Sequence, residues 1–125
     1  ALRPGDGAQV NRAEREAKGR RGETLAAWYL RMKGWRIVAR RVKTPRGEVD
    51  LIARRGRTLA FIEVKWRSSA DQLDHAVDLY RLRRVAAAAE VLAARHARAG
   101  DTLRIDVLLL APGRFPRHMA NALMP

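Results

Sequence analysis

The strongest constraint on the fold lies in residues 47–67, which read GEVDLIARRGRTLAFIEVKWR. Two apolar runs rich in β-branched residues, Val49 to Ala53 and Leu59 to Val64, flank a short polar segment that contains Gly56. Apolar runs separated by a glycine-containing segment are typical of a β-hairpin. If Gly56 and Arg57 are the central turn residues, glycine occupies the position that a type II′ turn requires. We therefore predict two antiparallel strands joined by a tight turn.

Charged residues interrupt the apolar strands of this hairpin. Counting outward from the turn gives four facing pairs: Arg55–Thr58, Ile52–Phe61, Asp50–Glu63 and Glu48–Lys65. Because side chains alternate along a strand, Asp50, Glu63 and Lys65 are expected on one face. Facing like charges are destabilising and unpaired buried carboxylates are costly, so a positive group is expected between the two acids. Lys65 is one candidate, and a divalent cation is the other.

A purely structural interpretation of the same residues stays open. In it, Glu63 and Lys65 form a surface ion pair while Asp50 is solvated. The interruption of otherwise apolar strands by these charges favours a functional site instead.

The rest of the chain predicts alternating helices and strands. The predicted segments are a helix from Glu23 to Lys33 before Gly34, a strand from Trp35 to Arg41, a loop from Val42 to Arg46, a helix from His75 to Arg98, and a strand from Leu103 to Ala111. The order α-β-β-β-α-β, with the hairpin included, predicts an α/β domain with a central mixed β-sheet flanked by α-helices.

Length and residue content limit the domain organisation. With 125 residues the chain is expected to form a single domain. We predict a basic N-terminal arm at residues 1–18, the domain proper at 19–111, and a C-terminal tail packed on the domain at 112–125. Apolar runs of membrane-spanning length and a signal-peptide core are both missing, and there is no cysteine, so we expect a cytoplasmic protein without a membrane partner.

The net charge of the chain indicates a class of partner. The chain carries a formal net charge of +13. The excess is concentrated in residues 1–57, which hold 16 Lys and Arg against 6 Asp and Glu. Such a surface attracts polyanions, and nucleic acid is the expected one. Ribosomal-type RNA binding and adhesion to anionic membranes are the competing explanations, and charge by itself does not decide among them.

Two sets of motifs resemble known families. An aspartate, a strand-turn-strand interval and then Glu-x-Lys, here Asp50 and Glu63 to Lys65, resemble the core of the PD-(D/E)XK nucleases, the restriction-endonuclease-like superfamily. The wider set looks like the bacterial YraN-type family: Gly22-Glu23, Ala26, Tyr29-Leu30, Gly34-Trp35, residues 47–53, residues 61–67 and Arg104 to Val107. That family is assigned to the same fold and grouped near archaeal Holliday-junction resolvases. The resemblance covers roughly residues 19 to 110.

The resemblance implies a catalytic set and a metal. The implied catalytic residues are Glu23, Asp50, Glu63 and Lys65, and Mg²⁺ or Mn²⁺ is implied as the cofactor, held by Asp50 and Glu63. From the residues themselves, Glu23 begins a small-residue face of the first helix, which points it into a cleft or leaves it as a favourable charge at a helix N-terminus. Lys43, Arg46 and Arg67 are candidates for contacts with nucleic-acid phosphates, or are ordinary exposed cations.

The function implied by the resemblance is a metal-dependent endonuclease that hydrolyses phosphodiester bonds in DNA, with structured or branched DNA as the leading substrate. A non-catalytic nucleic-acid-binding protein that retains a nuclease scaffold is the alternative. DNA is favoured over RNA as the partner, and a homodimer is left open. Arg81 departs from the family, which usually has lysine there. For Asp106 we favour a buried carboxylate paired with a nearby arginine over a site residue.

Overall fold

A computed structural model describes residues 21–66 and 79–123 of the chain. Both the predicted basic arm at 1–18 and Arg67 lie outside the described residues. The elements in chain order are α1 (residues 21–32), β1 (Arg36–Thr44), β2 (Gly47–Arg55), β3 (Thr58–Trp66), α2 (Leu79–His96), β4 (Thr102–Leu110) and β5 (Arg117–Met119). Over the part of the chain that the structure describes, neither helix is long and apolar enough to cross a membrane.

The five strands form one sheet in the order β1-β2-β3-β4-β5. Strands β3 and β4 are parallel, whereas the other neighbours are antiparallel. The predicted mixed sheet with helices is therefore confirmed. Strand β5 was not predicted: it arises from the expected tail and pairs Leu108 with His118 on β4. Its three residues follow a proline-containing segment and are too few to show an alternating pattern.

The hairpin of β2 and β3 has the predicted turn and register. Gly56 has a φ of 59°, whereas Arg57 does not have a positive φ. Positive φ at the first central residue alone is the signature of a type II′ turn. The register runs from Arg55↔Thr58 to Leu51↔Ile62, as counting from the turn predicts.

Strand β1 continues through part of the predicted loop. It runs to Thr44, and only Pro45 and Arg46 separate it from β2. The Thr44 hydroxyl closes this turn, because its oxygen accepts a hydrogen bond from Gly47 N at 3.1 Å and it donates to Gly47 O at 2.9 Å. The predicted loop was too long because the sequence pattern does not register this local side-chain bond.

The two faces of the sheet are covered by different helices. Ala26 and Leu30 of α1 pack on Leu51 and Ile62. Helix α2 packs on the opposite face, with its apolar side chains in a cluster that includes Ile52, Phe61, Val85 and Leu92. Each fully buried side chain of this size contributes roughly 1.5–3 kcal/mol relative to an exposed one. The charged residues of the hairpin therefore lie among tightly packed apolar groups.

Candidate active site

The ladder between β2 and β3 ends where the two acidic residues were predicted to face each other. The recorded pairs stop at Leu51↔Ile62. Beyond them, the backbone N–H of Val64 donates to Oδ2 of Asp50 at 2.8 Å. A side-chain carboxylate thus takes a donor that a continued ladder would give to the backbone of β2. The ladder between the two strands ends at this point, and the carboxylates of Asp50 and Glu63 line a cavity beside the resulting gap.

Glu63 is buried in this gap. Its residue is only 2% exposed, and its Oε1 lies 2.7 Å from Arg81 Nε and 3.3 Å from Lys65 Nζ. These contacts bring opposite charges together, yet neither oxygen of Glu63 accepts a hydrogen bond of good geometry within the residues described. A buried carboxylate without hydrogen-bond donors is costly. Its two oxygens are therefore suited to a ligand that supplies positive charge.

Asp50 has a perturbed pKa. Its pKa is raised from 3.8 to about 6, first by burial and then by the nearby charges of Glu23 and Glu63. The hydrogen bond from Val64 and the charge of Arg81 act in the opposite direction. Like charges that raise a carboxylate pKa are a mark of acidic groups gathered at one site.

Two cavities meet at Asp50. The first, of about 260 Å³, is lined by residues of β2, β3 and α2, namely Glu48, Asp50, Glu63, Tyr80, Arg81, Arg84 and Val85. The second, of about 160 Å³, is lined by Glu23, Arg41, Lys43, Glu48, Val49 and Asp50. Asp50 and Glu48 border both cavities, so the site reaches from α2 on one side to α1 on the other.

Strand β2 starts in close contact with α2, which fixes the width of the first cavity. A Cβ atom added at Gly47 would lie 2.2 Å from the backbone oxygen of Arg84. Only glycine allows this approach without moving the helix. The approach holds Arg81 and Arg84 over the carboxylates of the hairpin.

The residues of the first cavity fit a hard divalent cation. Mg²⁺ is usually bound by one or two carboxylates, with water and substrate oxygens as its other ligands. Asp50 and Glu63 supply two such groups. Among the residues described, Oε2 of Glu63 accepts no hydrogen bond, whereas Oε1 is in contact with Arg81 and Lys65. Within residues 21–66 and 79–123, no group of three or more His, Cys, Asp or Glu residues is arranged to hold a metal by itself. The site therefore fits an ion whose remaining ligands are water molecules and oxygens of the substrate.

The structure brings together most of the predicted catalytic set. Asp50 and Glu63 line the first cavity and Lys65 contacts Glu63. Glu23 lies across the second cavity with its Oε2 2.5 Å from Arg41 Nε. The predicted phosphate contacts are separated. Lys43 lines the second cavity, whereas Arg46 extends to α2 and its Nη1 lies 2.8 Å from Glu90 Oε2.

Three site residues were missed or left without a role by the sequence. Arg81 is noted in the sequence only for departing from the family's usual lysine, and Arg84 has no predicted role, yet both line the first cavity with the hairpin carboxylates. The sequence predicts Arg41 only as the last residue of a strand, whereas in the structure it holds Glu23 and has a positive φ of 50°. No local signal identifies these contacts, since each joins elements that are distant in sequence.

Asp106 belongs to a separate cluster. It is fully buried, and Arg104 Nη2 and His118 Nε2 lie 2.8 Å and 2.7 Å from its Oδ2. Asn121 N donates to its other oxygen at 3.0 Å. Burial works to raise its pKa, but the hydrogen bonds from His118 and Arg104 outweigh this and hold the pKa below its usual value. The favoured prediction, a buried carboxylate paired with arginine, is confirmed.

Comparisons with known proteins give consistent results. Residues 22–110 match the family described as "Uncharacterised protein family UPF0102". A UPF0102 protein of Sphingopyxis alaskensis is 64% identical over 116 residues, covering 93% of this chain and 100% of that protein. A UPF0102 protein of Methylorubrum extorquens is 44% identical over 122 residues, covering 97% of this chain and 95% of that protein.

One solved structure supports the fold. It is the 1.6 Å structure of Archaeoglobus fulgidus Hjc, a Holliday junction resolvase from an archaeal hyperthermophile. The TM-score is 0.56 at 23% identity, covering 86% of this chain and 76% of Hjc. The predicted α/β, restriction-endonuclease-like fold class is confirmed by this likeness.

Proposed function

This chain belongs to the uncharacterised protein family UPF0102, and from its fold and its acidic cavity we propose that it is a metal-dependent endonuclease that hydrolyses phosphodiester bonds in DNA. The YraN-type resemblance that the motifs predicted is confirmed at the level of the family. The observation that carries the proposal is the shared cavity of Asp50 and Glu63, with Lys65 Nζ 3.3 Å from Glu63 Oε1. The likeness of the fold to a Holliday junction resolvase supports structured or branched DNA as the substrate.

Asp50 and Glu63 are the proposed ligands of Mg²⁺ or Mn²⁺. When bound, such an ion polarises a phosphate oxygen and lowers the pKa of a coordinated water. The Lys65 ammonium group is proposed to orient the attacking water and to offset the charge that develops on the phosphate. Arg81 is proposed to exchange its contact with Glu63 for a substrate phosphate oxygen, which its guanidinium group suits.

Glu23 is proposed to complete the acidic set from α1. Its side chain is mostly buried and is held by Arg41, and its charge contributes to the raised pKa of Asp50. Lys43 borders the same cavity and is proposed to contact a phosphate next to the scissile one. Binding by such cations is sequence-independent and weakens as salt increases.

The test is cleavage of labelled four-way junctions, forked DNA and plain duplex with Mg²⁺ or Mn²⁺. We expect Asp50→Asn and Glu63→Gln to abolish cleavage while leaving DNA affinity largely intact. Lys65→Met is expected to slow cleavage by roughly 10²–10⁴-fold, the usual contribution of a positioned acid-base group. Glu90→Gln is the matched control, because this carboxylate is 70% exposed and lies outside the cavity. Undiminished cleavage by either carboxylate variant would reject the assignment.

A second function is favoured by one specific observation. Arg81 and Lys65 already bring two positive charges to Glu63, so the scaffold can hold its carboxylate without a metal. On this alternative, the protein binds nucleic acid without cutting it. Titration with Mn²⁺, followed by electron paramagnetic resonance, separates the two functions. Binding that is lost in Asp50→Asn supports the nuclease, whereas absence of binding by the wild-type protein supports the alternative.

A further inference from the structure

An exposed aromatic groove lies beside the candidate active site. It has a volume of about 430 Å³ and runs between α1 and the segment 111–116 that follows β4. Trp66 is part of its lining, together with Trp28 and Met32 of α1 and Phe115 on the opposite side. Trp28 is 62% exposed, Met32 80% and Phe115 93%. Large apolar side chains gathered on a surface in this way mark an interaction site.

The groove opens at the same edge of the sheet as the acidic cavity. Strands β3 and β4 are parallel and are paired through Trp66↔Leu110, so their C-terminal ends lie side by side. Trp66 directly follows Lys65 on β3, and because side chains alternate along a strand it lies on the α1 face of the sheet, opposite to Glu63 and Lys65. Helix α1 joins the two sites, because Glu23 borders the second acidic cavity whereas Trp28, about 7–8 Å further along the helix axis, lines the groove.

The charge around the groove favours an anionic partner with flat apolar groups. Arg114 is the one charged residue in its lining, and no carboxylate takes part in it over the ranges described. A second copy of a chain with a net charge of +13 would be repelled. Single-stranded nucleic acid carries both a negative backbone and bases that stack on aromatic rings, with arginine as a further stacking partner.

We propose that this groove binds unpaired nucleobases of DNA by stacking on Trp28 and Phe115, next to the site that binds the scissile phosphate. The inference rests on the proposed function for its placement beside a phosphate site. Stacking in this groove gives the protein a means of distinguishing branched or frayed DNA from a continuous duplex. Paired bases are stacked on one another and cannot enter the groove, whereas bases at a fork or junction are free to do so.

The experiment compares affinity for forked DNA and for a fully paired duplex of the same length. Fluorescence anisotropy is measured at fixed salt with EDTA, so that cleavage plays no part. We expect Trp28→Ala and Phe115→Ala each to weaken binding to forked DNA by about 10-fold, within the range reported for loss of one base–aromatic stack. Affinity for the duplex is expected to remain within about twofold, because the phosphate contacts are retained.

Two further variants separate stacking from general apolar contact. Trp28→Phe keeps an aromatic face and is expected to retain most of the preference for forked DNA. Met32→Ala removes an apolar but non-aromatic side chain from the same groove, and is expected to change neither affinity appreciably. All of these side chains are largely exposed, so the variants are expected to fold normally, which thermal unfolding verifies.

Several outcomes would overturn the inference. Equal losses of affinity for forked DNA and duplex would show that the groove does not read unpaired bases. A loss in Met32→Ala as large as in Trp28→Ala would show that general apolar contact, and not stacking of bases on aromatic rings, carries the binding to DNA. A dimer in sedimentation experiments that Trp28→Ala dissociates would assign the groove to a second copy. Failure of the wild-type protein to cut DNA rejects the proposed nuclease but leaves the fork preference measurable in EDTA.

Discussion

Replacing Asp50 with asparagine is expected to stabilise the protein at pH 8 and to leave its stability nearly unchanged at pH 4. The pKa of Asp50 is raised from 3.8 to about 6 by burial and by neighbouring carboxylates. The folded protein therefore binds a proton more tightly than the unfolded chain, so its stability falls as pH increases from about 4 to about 6. Above about pH 6, the ionised Asp50 carboxylate destabilises the folded protein by the full amount that corresponds to the pKa shift.

The size of the pKa shift of Asp50 sets the expected change in the free energy of unfolding. Roughly two pKa units correspond to about 3 kcal/mol, since one unit is about 1.36 kcal/mol. Asparagine removes the charge but keeps an oxygen that can accept the hydrogen bond from Val64. We therefore expect Asp50→Asn to raise the free energy of unfolding at pH 8 by about 2–3 kcal/mol, or the melting temperature by roughly 8–12 °C for a chain of this length.

Urea denaturation of the wild type and Asp50→Asn at pH 4, 6 and 8 tests this expectation. Asp101→Asn is the matched control, because a hydrogen bond from Arg54 lowers the pKa of Asp101 to about 2. That variant should lose stability at pH 8, which is the opposite sign. Parallel pH profiles for the wild type and Asp50→Asn would refute the argument that Asp50 is buried against other acids.

Stabilisation by a bound metal ion is an independent test of the proposed ligands Asp50 and Glu63. If Asp50 and Glu63 hold Mg²⁺ or Mn²⁺, the ion should stabilise the wild type at pH 8 by about 2.7 kcal/mol at a concentration 100 times its dissociation constant. Asp50→Asn should gain much less. Equal stabilisation of both proteins would place the metal elsewhere.

Two further predictions concern the packing of the sheet. Gly47→Ala puts a Cβ atom 2.2 Å from the backbone oxygen of Arg84, so we expect a loss of stability of more than about 2 kcal/mol in urea denaturation. Gly22→Ala is the mild control, because the nearest atom to its Cβ would be 3.7 Å away. Arg104→Met removes one partner of the buried Asp106 carboxylate and is expected to cost about 3–5 kcal/mol in the same assay, and an effect below 1 kcal/mol would contradict the cluster.

The hairpin could be predicted because its information is local. Gly56 specifies the turn, the turn specifies the register, and the register determines which side chains share a face. Counting from the turn therefore gave the correct pairs as far as Leu51↔Ile62. The sequence also predicted that Asp50 and Glu63 would be neighbours, although the strands separate there and Asp50 binds the backbone of Val64 instead of continuing the ladder.

The remaining contacts depend on tertiary packing. Arg46 was expected to contact phosphate, and in the structure it pairs with Glu90, which lies 44 residues further along the chain. Gly47 is part of the motif that resembles the family. Glycine is needed there because the backbone of Arg84 approaches closely, and this can be seen only once the position of α2 is known. The contact between Glu23 and Arg41 likewise depends on how α1 lies across the sheet. Periodicity and turn chemistry carry no information about such distances.

The last strand makes the C-terminal segment part of the folding unit. The family match ends at residue 110, yet His118 and Asn121, which hold Asp106 in the interior, come after it. A shortened chain ending at that boundary would keep Arg104 but would strand a negative charge in the interior with two of its partners gone. Residues 117–121 thus complete the polar environment of a buried carboxylate in the sheet, so substitutions at His118 should be limited by the need to donate a hydrogen bond to Asp106.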